Sequence, residues 1–429
     1  MATDISRRDL LRFSVLGIGA TAALSLLGCA PDGSASPAVT PGSGAKATDF
    51  TFGSWSLSEE AAKPVVQSAL DAFGADKGIS IGAVTYPYND YLNQLTLQVR
   101  GGQFSGAAQL DVAWLSALAA LGKLVDLSAF ASGRGYTDAA LGAGRSEDRQ
   151  LGLPWTIGAV GLIGNAELFD RAGASLEPAT IEEFEEGLRA LKGIGVTPYA
   201  ASTKAAQLKD IVVWMQTFGS PIVEDGKATI GDDASIEAVE WYKKLYDDGL
   251  ITPDVDRAAA RTLFAQGAAA IYDDAPVGRS AVVSQSPDAS LGDKMTPIAR
   301  PVLAAGETPQ HVLWGHLVVV VDGAGTQTAS EFAQWLTSDP AQTVSYFEAL
   351  GLPPTTEAAL GSDAVAQNTF VEGFTQRITA TAKPSPLWRY PSYGQMETAI
   401  AEQVQAVLIG QSSAKDAMAA AGAAIDRLL

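Results

Sequence analysis

The sequence predicts an α/β fold in which open sheets are flanked by helices, and three observations carry that reading. Short β-rich runs alternate with amphipathic helical stretches from Phe50 to the C-terminus. The run Leu317 to Asp322, LVVVVD, is apolar without alternation, as in a strand buried on both faces. The composition, 47% hydrophobic and 18% charged over 429 residues, supplies core enough for two domains without covalent staples.

The elements follow in chain order. DFTFGSW, Asp49 to Trp55, reads as the first strand, and Val66, Ala69, Leu70 and Phe73 then recur at helical spacing before Gly74. GISIGAVTY, Gly78 to Tyr86, is a second strand; Asp90 to Arg100 is a helix closed by Gly101 and Gly102. LDVAWL, Leu110 to Leu115, reads as the third strand. Thr180 and Glu183 form a capping box ahead of Ile181, Phe184, Leu188 and Leu191, and Gly193 ends that helix. Val239, Tyr242 and Leu245 mark a further helix ending at Gly249. From Tyr393 to Leu429 the chain is an Ala-rich helical stretch broken near Gly410 to Ser413, and no internal repeat is visible.

The first 29 residues have the layout of a secretory leader. A basic region with Arg7, Arg8 and Arg12 precedes an apolar stretch from Phe13 to Leu27, and Gly28 stands before Cys29, the single cysteine of the chain. One cysteine cannot form an internal disulfide. The apolar stretch has about 15 residues where a spanning helix needs ~20, so a permanent transmembrane span is not expected. SRRDLLR resembles the twin-arginine export motif, with Leu10 where an aromatic is usual; LLGC, Leu26 to Cys29, resembles a bacterial lipobox. The resemblance implies cleavage after residue 28 and lipidation of Cys29, which would hold the protein on the extracytoplasmic face of the bacterial cell membrane. Residues 29–48, rich in Pro, Gly, Ser and Ala, read as a flexible tether spanning about 20–25 Å.

Charge and motif searches exclude several classes. The net charge is −19, and −20 without the leader, which carries three arginines against two aspartates. An acidic body without a Lys/Arg cluster is not expected to bind nucleic acid or a polybasic-dependent membrane patch. His311 and His316, five apart, have neither a zinc-helix nor a zinc-finger spacing, so neither metal nor cofactor is expected. Neither Gly122-Lys123 nor Gly226-Lys227 is followed by Ser or Thr, as a P-loop requires, and DDGLITPDVD, Asp247 to Asp256, lacks alternating calcium-ligand spacing. A carboxylate-pair glycoside hydrolase stays open as the alternative function, because its two acids need only be about 5–10 Å apart in space; adjacent acids such as Asp273 and Asp274 are its candidates.

Several segments, in order, resemble the extracellular solute-binding proteins of bacterial carbohydrate ABC importers, the group that includes maltose-binding protein. They are LDVAWLSALAALGKLVDLS, LGLPWTIGAVGLIGNAELFDRAG with the following PATIEEFEEGLRAL, FAQGAAAIYDD, GLPPTT and the closing IAEQVQAVLIGQSSAKDAMAAAGAAIDRLL. The chain departs from the pattern at Leu110, where a proline is common, at Gly164, where a tyrosine is usual, and at Val277, where many relatives carry a sugar-stacking tryptophan.

The resemblance implies a two-lobed, periplasmic-binding-protein-like fold of the second type, with ligand in the cleft and closure by hinge motion. One lobe is expected from 49–157 and 297–343, the other from 158–296 and 344–429, with passages near Ile157 to Val160, Met295 to Ile298 and Thr343 to Gly351. It also implies a monomer without enzymatic turnover, partnered by a carbohydrate ligand, the ABC permease subunits and, through its lipid, the membrane. A sugar offers an apolar C–H face to aromatic rings and a rim of hydroxyls to planar donors and acceptors. On that basis the expected ligand-binding residues are Ser54, Trp55, Ser56, Trp114, Ser116, Trp155, Trp314, Gly315 and Tyr393, with Glu59, Lys209, Asp274 and Arg389 as the polar partners.

Overall fold

A computed structural model describes residues 39–42 and 44–429. The leader and Cys29 lie outside the described residues. Eight strands position the site: β1 (Phe50–Gly53), β2 (Ile81–Val84), β3 (Gly106–Asp111), β4 (Gly152–Asn165), β5 (Thr197–Ala200), β6 (Ala269–Asp274), β7 (Met295–Ile298) and β8 (His311–Val321). They run in the order β2-β1-β3-β8-β4-β6-β5, with β7 also on β4. The alternation of β-rich and helical runs thus resolves into the expected α/β architecture.

The 14-residue β4 joins the two halves of this array. Its first part pairs antiparallel with β8, from Gly152 opposite Val319 to Val160 opposite Val312. Its last part pairs with β6, from Gly161 opposite Asp274, and with β7, from Leu162 opposite Ile298. The hydrogen-bond partner of the strand therefore changes between Val160 and Gly161. Around β1, β2, β3 and β8 packs one body; around β5, β6 and β7 packs the other. The buried run is the C-terminal part of β8, whose residues Leu317 to Val321 are all buried between helices and sheet.

Three expectations are corrected. The third strand begins and ends earlier than LDVAWL, because Gly106, at φ 119°, lies so close to β1 that a Cβ there would sit 2.3 Å from the Thr51 carbonyl oxygen. Its small Gly-Ala-Ala start hid the strand. Asp111 then accepts the Ala113 amide on its own Oδ1 and turns the chain into the short helix Val112–Trp114. Second, part of the tether is docked: the Thr40 carbonyl accepts from Gln327 Nε2 at 3.1 Å, and the Thr48 amide donates to Thr328 Oγ1 at 3.0 Å. Third, the segment Thr343 to Gly351, where a passage was expected, is helix and cap. The helix Pro340–Leu350 puts Tyr346 and Leu350 into the core of the first body, and Glu357 still donates its amide to the Gly135 carbonyl.

The C-terminal stretch is two helices, Tyr393–Leu408 and Ala414–Asp426, separated at 409–413 where the break was expected. The first body's core is organised by Phe332 on the helix Thr326–Ser338. Its ring meets Phe50, Phe52 and Phe73 at centroid distances of 5.4, 5.2 and 5.2 Å, edge-on or tilted. Fully buried, it has no route to relaxation on truncation. Phe332→Ala is therefore expected to lower unfolding free energy by about 3–5 kcal/mol, measured as a fall in the urea midpoint at unchanged slope.

Candidate functional site

The first wall of the site is made where β1 and β3 end, the N-terminal half of the antiparallel β8 lies beside them and the helix Tyr88–Arg100 begins. Trp55 is its hub, 2% exposed, with edge-on contacts to Tyr88, Tyr91, Trp114 and His316 at 4.9 to 5.5 Å. Tyr88 lies over Trp114 at 4.9 Å and 35°, with a residue exposure of 38%. Its hydroxyl, by contrast, is buried and donates to Asp111 Oδ2 at 2.8 Å. Trp314, half-buried, donates Nε1 to the same oxygen at 3.0 Å. Asp111 is thus a buried carboxylate held by three neutral donors; burial raises its pKa, against the Ala113 amide, Tyr88 and the Lys209 charge.

The second wall comes from Gln207 to Asp210, the helix Arg257–Ala265, the short helix Pro386–Arg389 and the start of Tyr393–Leu408. Arg257 Nη2 bonds Asp210 at 2.7 Å, and Arg261 binds both oxygens of Asp274, at 2.6 and 2.9 Å. Arg300, behind them, is closed on Asp273, which also takes the Tyr199 hydroxyl. Lys209 lies 3.4 Å from Glu397, whose other oxygen accepts Trp388 Nε1 at 2.8 Å. Lys209, Tyr393 and Glu397 line a pocket of about 440 Å³.

Electrostatics place the walls face to face. Glu59, exposed at the first wall, has its pKa raised by desolvation and drawn back by Arg261 of the second. Tyr88 is raised by burial and Asp111, with Tyr393 and Arg257 also acting on it. Burial lowers Lys209, but Glu397, Asp210 and Asp111 outweigh it and the net shift is upward. Glu59, Tyr88 and Lys209 all touch solvent while surrounding protein is the largest influence on each. Their nearest opposite-wall charges are thus within electrostatic reach of one another.

The structure distributes the expected residues unevenly. Lys209 and the buried Tyr393 line the second-wall pocket, whereas the half-buried Trp314 and the buried Trp114 belong to the first wall beside Tyr88, with Glu59 exposed at its edge. Trp55 lies beneath the first wall. Ser54 and Ser56 are buried, Ser54 donating to Gln109, which continues to His316 Nδ1 at 3.1 Å. Trp155 is removed to the core: at 1% exposure it stacks on Tyr346 at 4.1 Å and offers no free ring face. Asp274, at 1% exposure, holds Arg261 instead of facing a ligand. Gly315 serves strand packing, since a Cβ there would sit 2.2 Å from the Thr156 carbonyl oxygen. Ser116 donates to the Trp388 carbonyl at 2.5 Å, and Arg389 is exposed on its short helix.

Asp111, Tyr88, Arg257, Arg261 and Glu397 were missed. Asp111 stands inside the quoted Asp-Val-x-Trp segment, and Tyr88 is an aromatic opening a helix, so both carried a sequence signal. The arginines carried none, because only the fold brings them opposite Tyr88 and Glu59. As for a hydrolytic pair, Asp273 and Asp274 are both closed on arginines, which leaves neither free to move a proton. Among the described residues, no cluster of three metal-ligating side chains occurs.

A two-lobed α/β binding protein is the class defined by this arrangement. The chain belongs to the bacterial extracellular solute-binding protein family, which it matches over residues 68–372. Binding proteins of Brucella abortus (strain 2308) and Brucella suis biovar 1 (strain 1330) are 25% identical over 255 residues, 57% of this chain and 62% of theirs. The chain thus spans about three fifths of the length of the curated relatives it matches. The GacH receptor of Streptomyces glaucescens, solved unliganded and with acarbose, has a TM-score of 0.79 at 21% identity, over 89% of this chain and 98% of its own. Maltose-bound MalE3 of T. maritima gives 0.77 at 19% identity, over 89% and 100%. An ABC transporter solute-binding protein of Agrobacterium radiobacter K84, in complex with ribitol, gives 0.75 at 20%, over 89% and 99%. At these identities the likeness establishes the fold. No helix among the described residues is long and apolar enough to cross a membrane.

Two buried histidines give the structure a pH dependence. Burial pushes His316 down to about 3, and burial with the Arg300 charge does the same to His311. The unfolded chain takes protons at these sites below about pH 6.5, whereas the folded chain does so only near the lowered value. Stability is therefore complete above the unfolded value and falls as pH is lowered from about 6.5 towards 3. Asp111 and Glu59, held above the ordinary carboxylate range, work in the opposite sense. Urea titrations between pH 6.5 and 5 are expected to lose stability with falling pH, and His316→Gln to remove about half of the histidine slope.

Proposed function

We propose that this protein is the substrate-binding lipoprotein of a carbohydrate ABC importer, capturing a sugar or oligosaccharide between its lobes and delivering it to the permease without turnover. The observation that carries the reading is the partly exposed Tyr88 ring over Trp114, with the Asp111 carboxylate below it and Arg257, Arg261 and Lys209 opposite. An apolar sugar face fits the rings, and hydroxyls fit the planar ionic groups. The solved relatives with acarbose, maltose and ribitol support polyhydroxylated ligands for this fold.

The lobes of this proposal run from 49 to 160 with 311 to 357, and from 161 to 298 with 369 to 429. Closure about the linking segments would be favoured by a ligand touching both walls. The protein acts as a monomer, anchored through lipid on Cys29 at the extracytoplasmic face of the membrane. The docked part of the tether leaves a shorter link to the anchor than its full length suggests.

Two outcomes test the reading. Tyr88→Ala should weaken binding of a saccharide found by thermal-shift screening by about 1–3 kcal/mol while the fold is retained; unchanged calorimetric affinity would remove the ring from the site. Cys29→Ser should move the protein from the membrane to the soluble fraction, and a variant that still incorporates labelled fatty acid would contradict the anchor.

A further inference from the structure

The charges of the cleft are shared unequally between its walls. On the second wall the cations are already matched: Arg257 with Asp210 at 2.7 Å, Arg261 with Asp274 at 2.6 and 2.9 Å, Lys209 with Glu397 at 3.4 Å. Arg300, 2% exposed, is closed on Asp273 behind them. The first wall supplies Asp111, held only by neutral donors, and the exposed Glu59. Those four cations thus stand against six carboxylates, and the two in excess are on the first wall.

We infer that this cleft selects uncharged carbohydrates and rejects sugar acids and sugar phosphates, because its guanidinium and ammonium donors are neutralised by carboxylates of the same wall. The inference rests on the carbohydrate reading and narrows it. An arginine bound on one edge still has N–H donors for a hydroxyl, and Asp111 and Glu59 still accept from one. A hydroxyl can donate and accept, so it suits both walls. A ligand carboxylate or phosphate only accepts, and it would meet two surplus carboxylates while the four cations named among the described residues are each paired. To gain one it would have to displace Asp274 or Asp210, and Asp274, at 1% exposure, would be left charged and without water.

The test uses the full-length protein and matched pairs in calorimetry and thermal shift at pH 7: glucose with glucuronate, galactose with galacturonate, maltose with maltose 1-phosphate, and trehalose with trehalose 6-phosphate. For any pair in which the neutral member binds, the acid member is expected to bind at least about tenfold more weakly. Asp274→Asn and Glu397→Gln each free a cation and should narrow that gap by about threefold or more; Glu397 borders the open pocket, so its variant serves if the buried Asp274 position does not tolerate change. An acid member binding as tightly as its neutral partner overturns the inference and leaves the carbohydrate reading intact. Silence of every neutral sugar overturns the carbohydrate reading itself, and the inference with it.

Discussion

The structure depends on one strand that belongs to two sheets. Residues Gly152 to Asn165 form a continuous β-strand, yet its partner is β8 up to Val160 and β6 and β7 from Gly161 onward. Both parts pair through backbone ladders, so neither sheet can slide along the strand without breaking one. In the proposed function, relative motion of the two bodies would be absorbed at the junction, the link from β7 to β8 and the chain beyond Glu357. The first wall lies where β1 and β3 end and β8, antiparallel to β3, begins.

The two walls of the cleft are built by opposite strategies. On the first, aromatic rings packed around Trp55 provide a stiff apolar surface, and a single buried carboxylate, Asp111, is satisfied by hydroxyl, indole and amide donors. On the second, flexible arginine side chains are fixed by acids, Asp274 and Asp273 buried and Asp210 half-buried. Such pairing adds little net stability once desolvation is counted, but it presents guanidinium edges in one orientation. Placement, more than charge, is what these acids supply.

The layout of the fold was legible in the sequence wherever apolar periodicity was strong. The helix with Ile181, Phe184, Leu188 and Leu191 and the buried run of β8 stand where their patterns placed them. The third strand was shifted because Gly106, Ala107 and Ala108 pair through backbone and carry no hydrophobic signal. The site was legible only in part. A tryptophan at a strand end is compatible with core or cleft, and nothing local distinguishes Trp155, stacked on Tyr346, from Trp314, bonded to Asp111. Arg257 and Arg261 lie four apart on an ordinary helix, and their significance comes from Tyr88 and Glu59, about 170 to 200 residues earlier in the sequence.

The proposed function requires a cleft between two bodies that a ligand touching both walls would close. Small-angle scattering of the protein with and without a saturating neutral saccharide, chosen as one that raises its melting temperature, tests that claim most directly. The account predicts a smaller radius of gyration in the bound state, with no change in the saccharide recovered afterwards. An identical profile at saturation, or recovery of a cleaved sugar, would contradict it.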